Sequence, residues 1–404
     1  MKHTFRWFGP NDPVTLAEIR QTDATGIVTA LHHIPNGAVW PIEEIQNRQA
    51  IIREAGLTWS VVESVPIHEH IKWNGPLRAE AVANYAQTLR NLGACGLKTV
   101  CYNFMPVIDW ARTDQRHPLP TGGYAMRFDF AAHAAFDLFV LKRPGSEADY
   151  TEEDRARATG WWEDADDTAK AALTETVLIG LPGSSESYEL DTLRAGLALY
   201  DGIDADTLRG NLASFLRDVV PAAEEAGIRL AIHPDDPPRP LFGLPRVVST
   251  AEDVQNLLDA APSWANGLTM CVGSYGSVAT NDVVAMTQRF AKHIYFAHLR
   301  NVTLESDGKS FFEGSHIDGG VDMVAVIQAL VTEEQRRRRD GEEASEIPMR
   351  PDHGHFLLDD LRRPTYPGYA LVGRMKGLAQ LRGVELAVTR LLRQESELAG
   401  PAIS

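Results

Sequence analysis

Four residues able to bind a metal ion stand at the ends of four apolar runs. Ala231-Ile232 leads into His233, Thr269-Met270 into Cys271, Phe296-Ala297 into His298, and Arg350-Pro351 into Asp352. Imidazole nitrogens, a thiolate and a carboxylate together suit a divalent first-row metal. Singly, each residue is weak evidence. An apolar-flanked histidine is usually a satisfied core residue, and a buried cysteine usually packs as a small hydrophobe. The four gain force only if the fold brings the ends of their runs to one point. His353 adjoins Asp352, so it would lie close to any ion bound there.

Other polar residues end earlier runs: His32 and His33, Glu63, and Asn103. Each reads as well as a strand terminator or helix cap as it does as a substrate contact. After His233 comes Pro234-Asp235-Asp236-Pro237-Pro238-Arg239-Pro240. Prolines this dense fix an extended loop with few free torsions. Such a loop could aim Asp236 or Arg239 at a substrate, or serve only as a connection. Arg300, just past His298, is a further candidate substrate contact.

The elements that must position these residues are eight short apolar runs, at 5–8, 26–32, 57–63, 98–104, 228–233, 267–272, 294–299 and 347–352. Helical patterns lie between many of them, at 41–55 with Gly56 as a stop, 80–92, 207–226 ending at Gly227, 251–261 and 322–339. Near-continuous apolar strands alternating with helices indicate a parallel sheet covered by helices. Eight such units predict an α/β fold, a (β/α)8 TIM barrel, as one domain over 1–404. In a barrel all strand C-termini open on one face, which is where the four donors would meet. An open doubly wound sheet is the alternative, but no G-x-G-x-x-G turn follows any strand. One stretch, 105–206, breaks the rhythm. It shows no convincing strand, a helical pattern at 128–141, and a helix start at Thr151-Glu152-Glu153-Asp154. It reads as a mostly helical insertion after the fourth strand. The basic run Arg336 to Arg339 closes a predicted helix and reads as a solvated face.

Composition narrows the partners. The chain has 404 residues, 44% hydrophobic and 23% charged, with a formal net charge of −16. That balance opposes nucleic acid and an anionic membrane surface, which need basic patches, but not a small anionic substrate beside a local cluster of cations. No apolar run reaches the length of a membrane span, and the start lacks the apolar core of a signal peptide. Three cysteines, Cys95, Cys101 and Cys271, point to a reducing cytoplasm without a disulfide framework. Cys95 and Cys101 read as core. The sequence leaves open a homo-oligomer.

Several longer motifs carry a resemblance. They include Trp7-Phe8-Gly9-Pro10-Asn11-Asp12, Thr29 through Gly37, Val62-Glu63-Ser64-Val65-Pro66 and Cys101-Tyr102-Asn103-Phe104-Met105-Pro106. They continue with His233 to Pro240, Cys271-Val272-Gly273-Ser274-Tyr275-Gly276, Arg350-Pro351-Asp352-His353-Gly354-His355 and Pro367-Gly368-Tyr369. From about residue 1 to 390 the chain resembles the bacterial D-mannonate dehydratases, in the form with a long insertion after the fourth strand. It departs from them in the insertion, around 336–346, and in the tail after Arg390.

The resemblance implies a xylose-isomerase-like barrel. It implies Mn²⁺ or Fe²⁺ held by His233, Cys271, His298 and Asp352, with His353 and Tyr369 handling protons. It implies loss of water from D-mannonate to give 2-dehydro-3-deoxy-D-gluconate, in cytoplasmic hexuronate (glucuronate) breakdown. The chemistry suits such residues. The C2 proton beside a carboxylate is a poor acid, so its removal needs a base and stabilised charge, and the departing C3 hydroxyl needs an acid. Four protein ligands would close a tetrahedral zinc site but leave room for a chelating substrate on a six-coordinate ion. Three rival readings remain at this stage: an aldose–ketose isomerase, an enolase-type acid-sugar dehydratase, and a non-catalytic sugar-acid sensor. The first would favour carboxylate-rich ligation and the second successive Asp and Glu ligands with a Lys or His base. Neither pattern is present.

Overall fold

Eight parallel strands close into a barrel in the computed structural model, which describes residues 1–179 and 189–398. In chain order the strands are β1 (Lys2–Arg6), β2 (Gly26–Thr29), β3 (Thr58–Glu63), β4 (Thr99–Tyr102), β5 (Asp114–Pro118) and β6 (Tyr124–Phe128). There follow β7 (Arg229–Ile232), β8 (Asn266–Cys271), β9 (Ile294–His298), β10 (Val302–Leu304), β11 (Phe311–Glu313) and β12 (Pro348–Arg350). The barrel runs β1-β12-β9-β8-β7-β4-β3-β2. Each of the eight expected apolar runs overlaps one barrel strand, although β1 begins at Lys2 and meets the 5–8 run only at Phe5 and Arg6. The runs are near-continuous because both faces are covered: β2, β4, β8 and β9 are buried at every residue. Val28, Val61, Cys101, Ala231, Tyr295 and Phe296 form a separate cluster of buried side chains contributed by barrel strands.

The helices follow the expected stops. The helix Ala205–Ala226 starts at Asp204, whose carboxylate accepts from the Thr207 N–H, and ends at Gly227 with φ +66°. A left-handed residue there satisfies the last carbonyls, and glycine adopts it without steric cost. The expected start at Thr151 is a capping box with Asp154 heading the helix Glu152–Asp164.

The segment 105–206 departs from the sequence reading in one respect. It contains β5 and β6, which pair antiparallel with each other and, through β11, with β10. Asp-Gln-Arg-His-Pro has no apolar alternation, so nothing local marks β5 as a strand. It pairs with β6 at the edge of the sheet, and a second hairpin arriving from beyond β9 extends the sheet on the other side of β6 through β11. Ion pairs fasten this second hairpin to the 105–206 segment: Arg127 of β6 to Glu305 at 2.5 and 2.7 Å, and, from the helix Glu152–Asp164, Asp154 to Lys309 at 2.5 and 2.7 Å and Arg157 to Asp307 at 2.8 Å. The remaining described elements of the segment are helical, among them Phe130–Ala135, Asp167–Ile179 and Leu190–Ala198.

Two smaller expectations also change. Arg337 is not on a solvated face. It is 1% exposed, pairs with Glu333 at 2.8 Å, and donates to the carbonyls of Ala291, Lys292 and Ile294. Cys101 is core, but Cys95 caps a helix end and is only half-buried. Among the described residues no helix is long and apolar enough to cross a membrane.

Candidate metal centre and active site

The C-terminal ends of the barrel strands deliver the four candidate donors to one place. Cys271 ends β8 and His298 ends β9, and the two are direct partners in the ladder. His233 follows β7 and is tied by its backbone N–H to the Tyr102 carbonyl at 2.8 Å. Asp352 follows β12 with φ +63°, an unusual backbone for a residue other than glycine. One ligand atom each from His233, Cys271 and His298 lies within 4.8 Å of the others. Asp352 Oδ2 is 3.8 Å from Cys271 Sγ and 3.7 Å from His298 Nδ1.

These donors fit a divalent ion in detail. His233 Nδ1 lies 2.7 Å from the Pro234 carbonyl, which can only accept, so the proton sits on Nδ1 and Nε2 is left as a ligand atom. His298 Nδ1 is buried without a hydrogen-bond partner, while its Nε2 faces Glu63 Oε1 at 3.5 Å and Arg350 Nε at 3.1 Å. Such an orphaned nitrogen beside a thiol and a carboxylate is the expected mark of a ligand. Burial alone would push the Cys271 thiol up, but the Arg300 guanidinium and His233 outweigh it and hold the thiol well below its ordinary range. Ser274 Oγ donates to the sulfur at 3.1 Å. Burial likewise opposes ionisation of Asp352, and Arg350, His353, His298 and Arg300 overcome it. His233 is raised to about 9, against its own burial, by Cys271 and Asp352. The site thus stores negative charge and holds protons that a metal ion would replace.

Above the donors stands a buried ionic lattice. Arg300 reaches Asp352 at 2.9 Å, Asp236 at 2.6 Å and Glu313 at 3.0 Å. Arg112 joins Asp236 at 2.9 Å and Glu313 at 2.8 Å. Glu313, the last residue of β11, also meets His353 Nδ1 at 3.0 Å. That carboxylate is held low by Arg300, His353 and Arg112 in spite of burial, so it accepts a hydrogen bond from Nδ1, while Nε2 faces Asp352 Oδ1 at 3.8 Å, beyond hydrogen-bond distance. The ring of Tyr369 packs edge-on against His353, with centroids 5.2 Å apart, and against Phe8. Burial pushes its phenol up to about 12, with Arg350 opposing.

A small cleft opens over this lattice. Of the expected residues, Glu63, Asn103, His233, Asp236, Asp352, His353 and Tyr369 line it, and Cys271 and His298 lie at 0% exposure beneath. Others do not line it. His33 is exposed and pairs with Glu44 at 2.9 Å. Arg239 turns to the Phe130 ring of the 105–206 segment and the Ser277 carbonyl. Arg300 is spent on buried carboxylates. His32 lies behind Phe8, and burial, with the Arg6 and Arg48 charges, lowers it to about 3. Sequence reasoning missed Arg6, Arg112, Glu313 and the role of Arg350, which grips Glu63 at 2.7 and 3.0 Å and also pairs with Asp352. Arg350 begins the motif Arg350 to His355, which was the available signal, whereas Arg6 fell inside the 5–8 run with nothing to single it out. Glu313 had none.

Comparison with known proteins bears on this geometry. A family profile for D-mannonate dehydratase (UxuA) matches residues 1–395. A mannonate dehydratase of Chromohalobacter salexigens is 61% identical over 391 residues, covering 97% of this chain and 100% of the relative. One from Marinomonas sp. is 55% identical over 392 residues, with the same coverage. The solved mannonate dehydratase of Streptococcus suis serotype 2 superposes with a TM-score of 0.75 at 36% identity, covering 97% of this chain and 94% of that one. A D-tagatose 3-epimerase-like protein, at 10% identity and a TM-score of 0.51, covers 97% of this chain and all of its own and shares the fold alone. Matched along nearly its whole length by the profile and by relatives more than half identical to it, the chain belongs to the D-mannonate dehydratase family.

Proposed function

We propose that this chain removes water from D-mannonate to give 2-dehydro-3-deoxy-D-gluconate, using the cleft at the C-terminal mouth of the barrel. The observation that carries this reading is the convergence of His233, Cys271 and His298 beside Asp352, at the cleft that His353 and Tyr369 line. His233, Cys271, His298 and Asp352 would hold Mn²⁺ or Fe²⁺. When bound, such an ion supplies charge stabilisation for the carboxylate-side anion that develops as C2 loses its proton. His353, with Nδ1 committed to Glu313, presents Nε2 as the base for the C2 proton. Tyr369 keeps its phenolic proton at neutral pH and gives it to the departing C3 hydroxyl. The resulting enol then becomes the ketone. Free cysteines throughout fit a reducing cytoplasm, and the product fits hexuronate breakdown. The test is release of a 2-keto acid from D-mannonate by the purified protein. Binding without release would favour the sugar-acid sensor.

A further inference from the structure

We infer that Arg6 anchors the anionic end of the sugar acid, an inference that rests on the dehydratase reading. Arg6 is the last residue of β1, so it stands at the face where barrel enzymes place their substrate contacts. It lines the cleft together with His353 and Tyr369, yet is only 4% exposed. A monoanionic substrate entering this cleft must meet a cation with donors to offer. The other guanidiniums are committed. Arg350 is held by Glu63 and Asp352, and Arg112 and Arg300 are held by Asp236 and Glu313. Arg6 has one longer ion pair, to Glu63 at 3.2 Å, on a carboxylate that Arg350 already grips. Its Nε is buried without a hydrogen-bond partner, and its guanidinium lies over the Phe8 ring at 4.8 Å. The ring fixes the plane and leaves the donor edge unfilled.

A guanidinium edge matches a carboxylate by paired hydrogen bonds, which an ammonium cannot reproduce.

The experiment compares wild type, Arg6→Met and Arg6→Lys for KM and kcat with D-mannonate and for inhibition by D-mannitol, which keeps the hydroxyls and lacks the carboxylate. Metal content by elemental analysis and thermal unfolding accompany each variant. Expected for Arg6→Met is a rise in KM for D-mannonate of roughly 10–100-fold, with mannitol inhibition within about threefold of wild type. Arg6→Lys should recover part of the loss. An unchanged KM, or equal weakening of mannonate and mannitol, overturns the role of Arg6 while leaving the dehydratase reading intact. Wild-type protein that releases no 2-keto acid overturns both.

Discussion

Cys271 is asked to be a ligand, and its surroundings make that role specific. A buried thiol with no charge near it would stay protonated, as burial does to Cys101, which is pushed well up. Cys271 instead faces Arg300 and His233 and accepts from Ser274. Cys271→Ala should therefore strip metal as well as rate, whereas Cys95→Ala should cost only stability. Elemental analysis of both decides it, and full occupancy in Cys271→Ala would reject the assignment. The proposed proton-handling pair should behave differently. His353→Asn and Tyr369→Phe should keep their metal and bind D-mannonate, yet lose roughly 10²–10⁴-fold in kcat. Exchange of the C2 proton with deuterated solvent separates them: it should vanish in His353→Asn and survive in Tyr369→Phe. Values of kcat within about threefold of wild type in both would remove the pair from the reaction. At this scale the convergence of the candidate donors was legible because each ends an apolar run. Arg6 was not, since what distinguishes it is the lack of a strong partner, and partners are not written in sequence.

The secondary elements divide into those that carry the candidate ligands and those that aim the proposed proton carrier. Barrel strands β7, β8, β9 and β12 bring the donors. The sheet of β5, β6, β11 and β10 brings Glu313 onto His353 and, just before β5, Arg112 onto Asp236. Glu313→Gln should therefore lower kcat by about 10-fold or more, with little change in metal content or KM, because a neutral amide orients the ring without stabilising its charged form. Glu313→Ala should be worse and less stable, since it leaves Arg112 and Arg300 short of a buried partner. Steady-state kinetics beside elemental analysis check this, and a normal kcat in Glu313→Gln would speak against it. The barrel strands could be read because they are buried on both faces. The second sheet could not: β5 is polar, β10 and β11 are three residues each, and the pairing joins distant loops. Its glutamate was invisible for the same reason.

On the scale of the whole molecule, buried neutral histidines add to the acid sensitivity. Burial, joined by the Arg239, Arg246 and Arg143 charges, lowers His133 to about 3, and burial lowers His316 to about 4. Unfolded histidine titrates near 6.5, so below that pH the unfolded chain binds protons the folded one refuses. The contribution of these two histidines to stability should be full above about pH 6.5 and fall as pH drops toward 4. His133 packs on Phe242 with its Nδ1 unpartnered, so His133→Phe should flatten part of that slope in thermal unfolding followed against pH. A slope identical to wild type would show that His133 does not contribute. The central claim, that the barrel mouth holds a working divalent ion, is tested most directly by counting metal against turnover. Purified protein should carry about one ion per chain, lose 2-keto acid formation on chelation, and regain it with Mn²⁺ or Fe²⁺ better than with Zn²⁺. Full turnover by metal-free protein would contradict it.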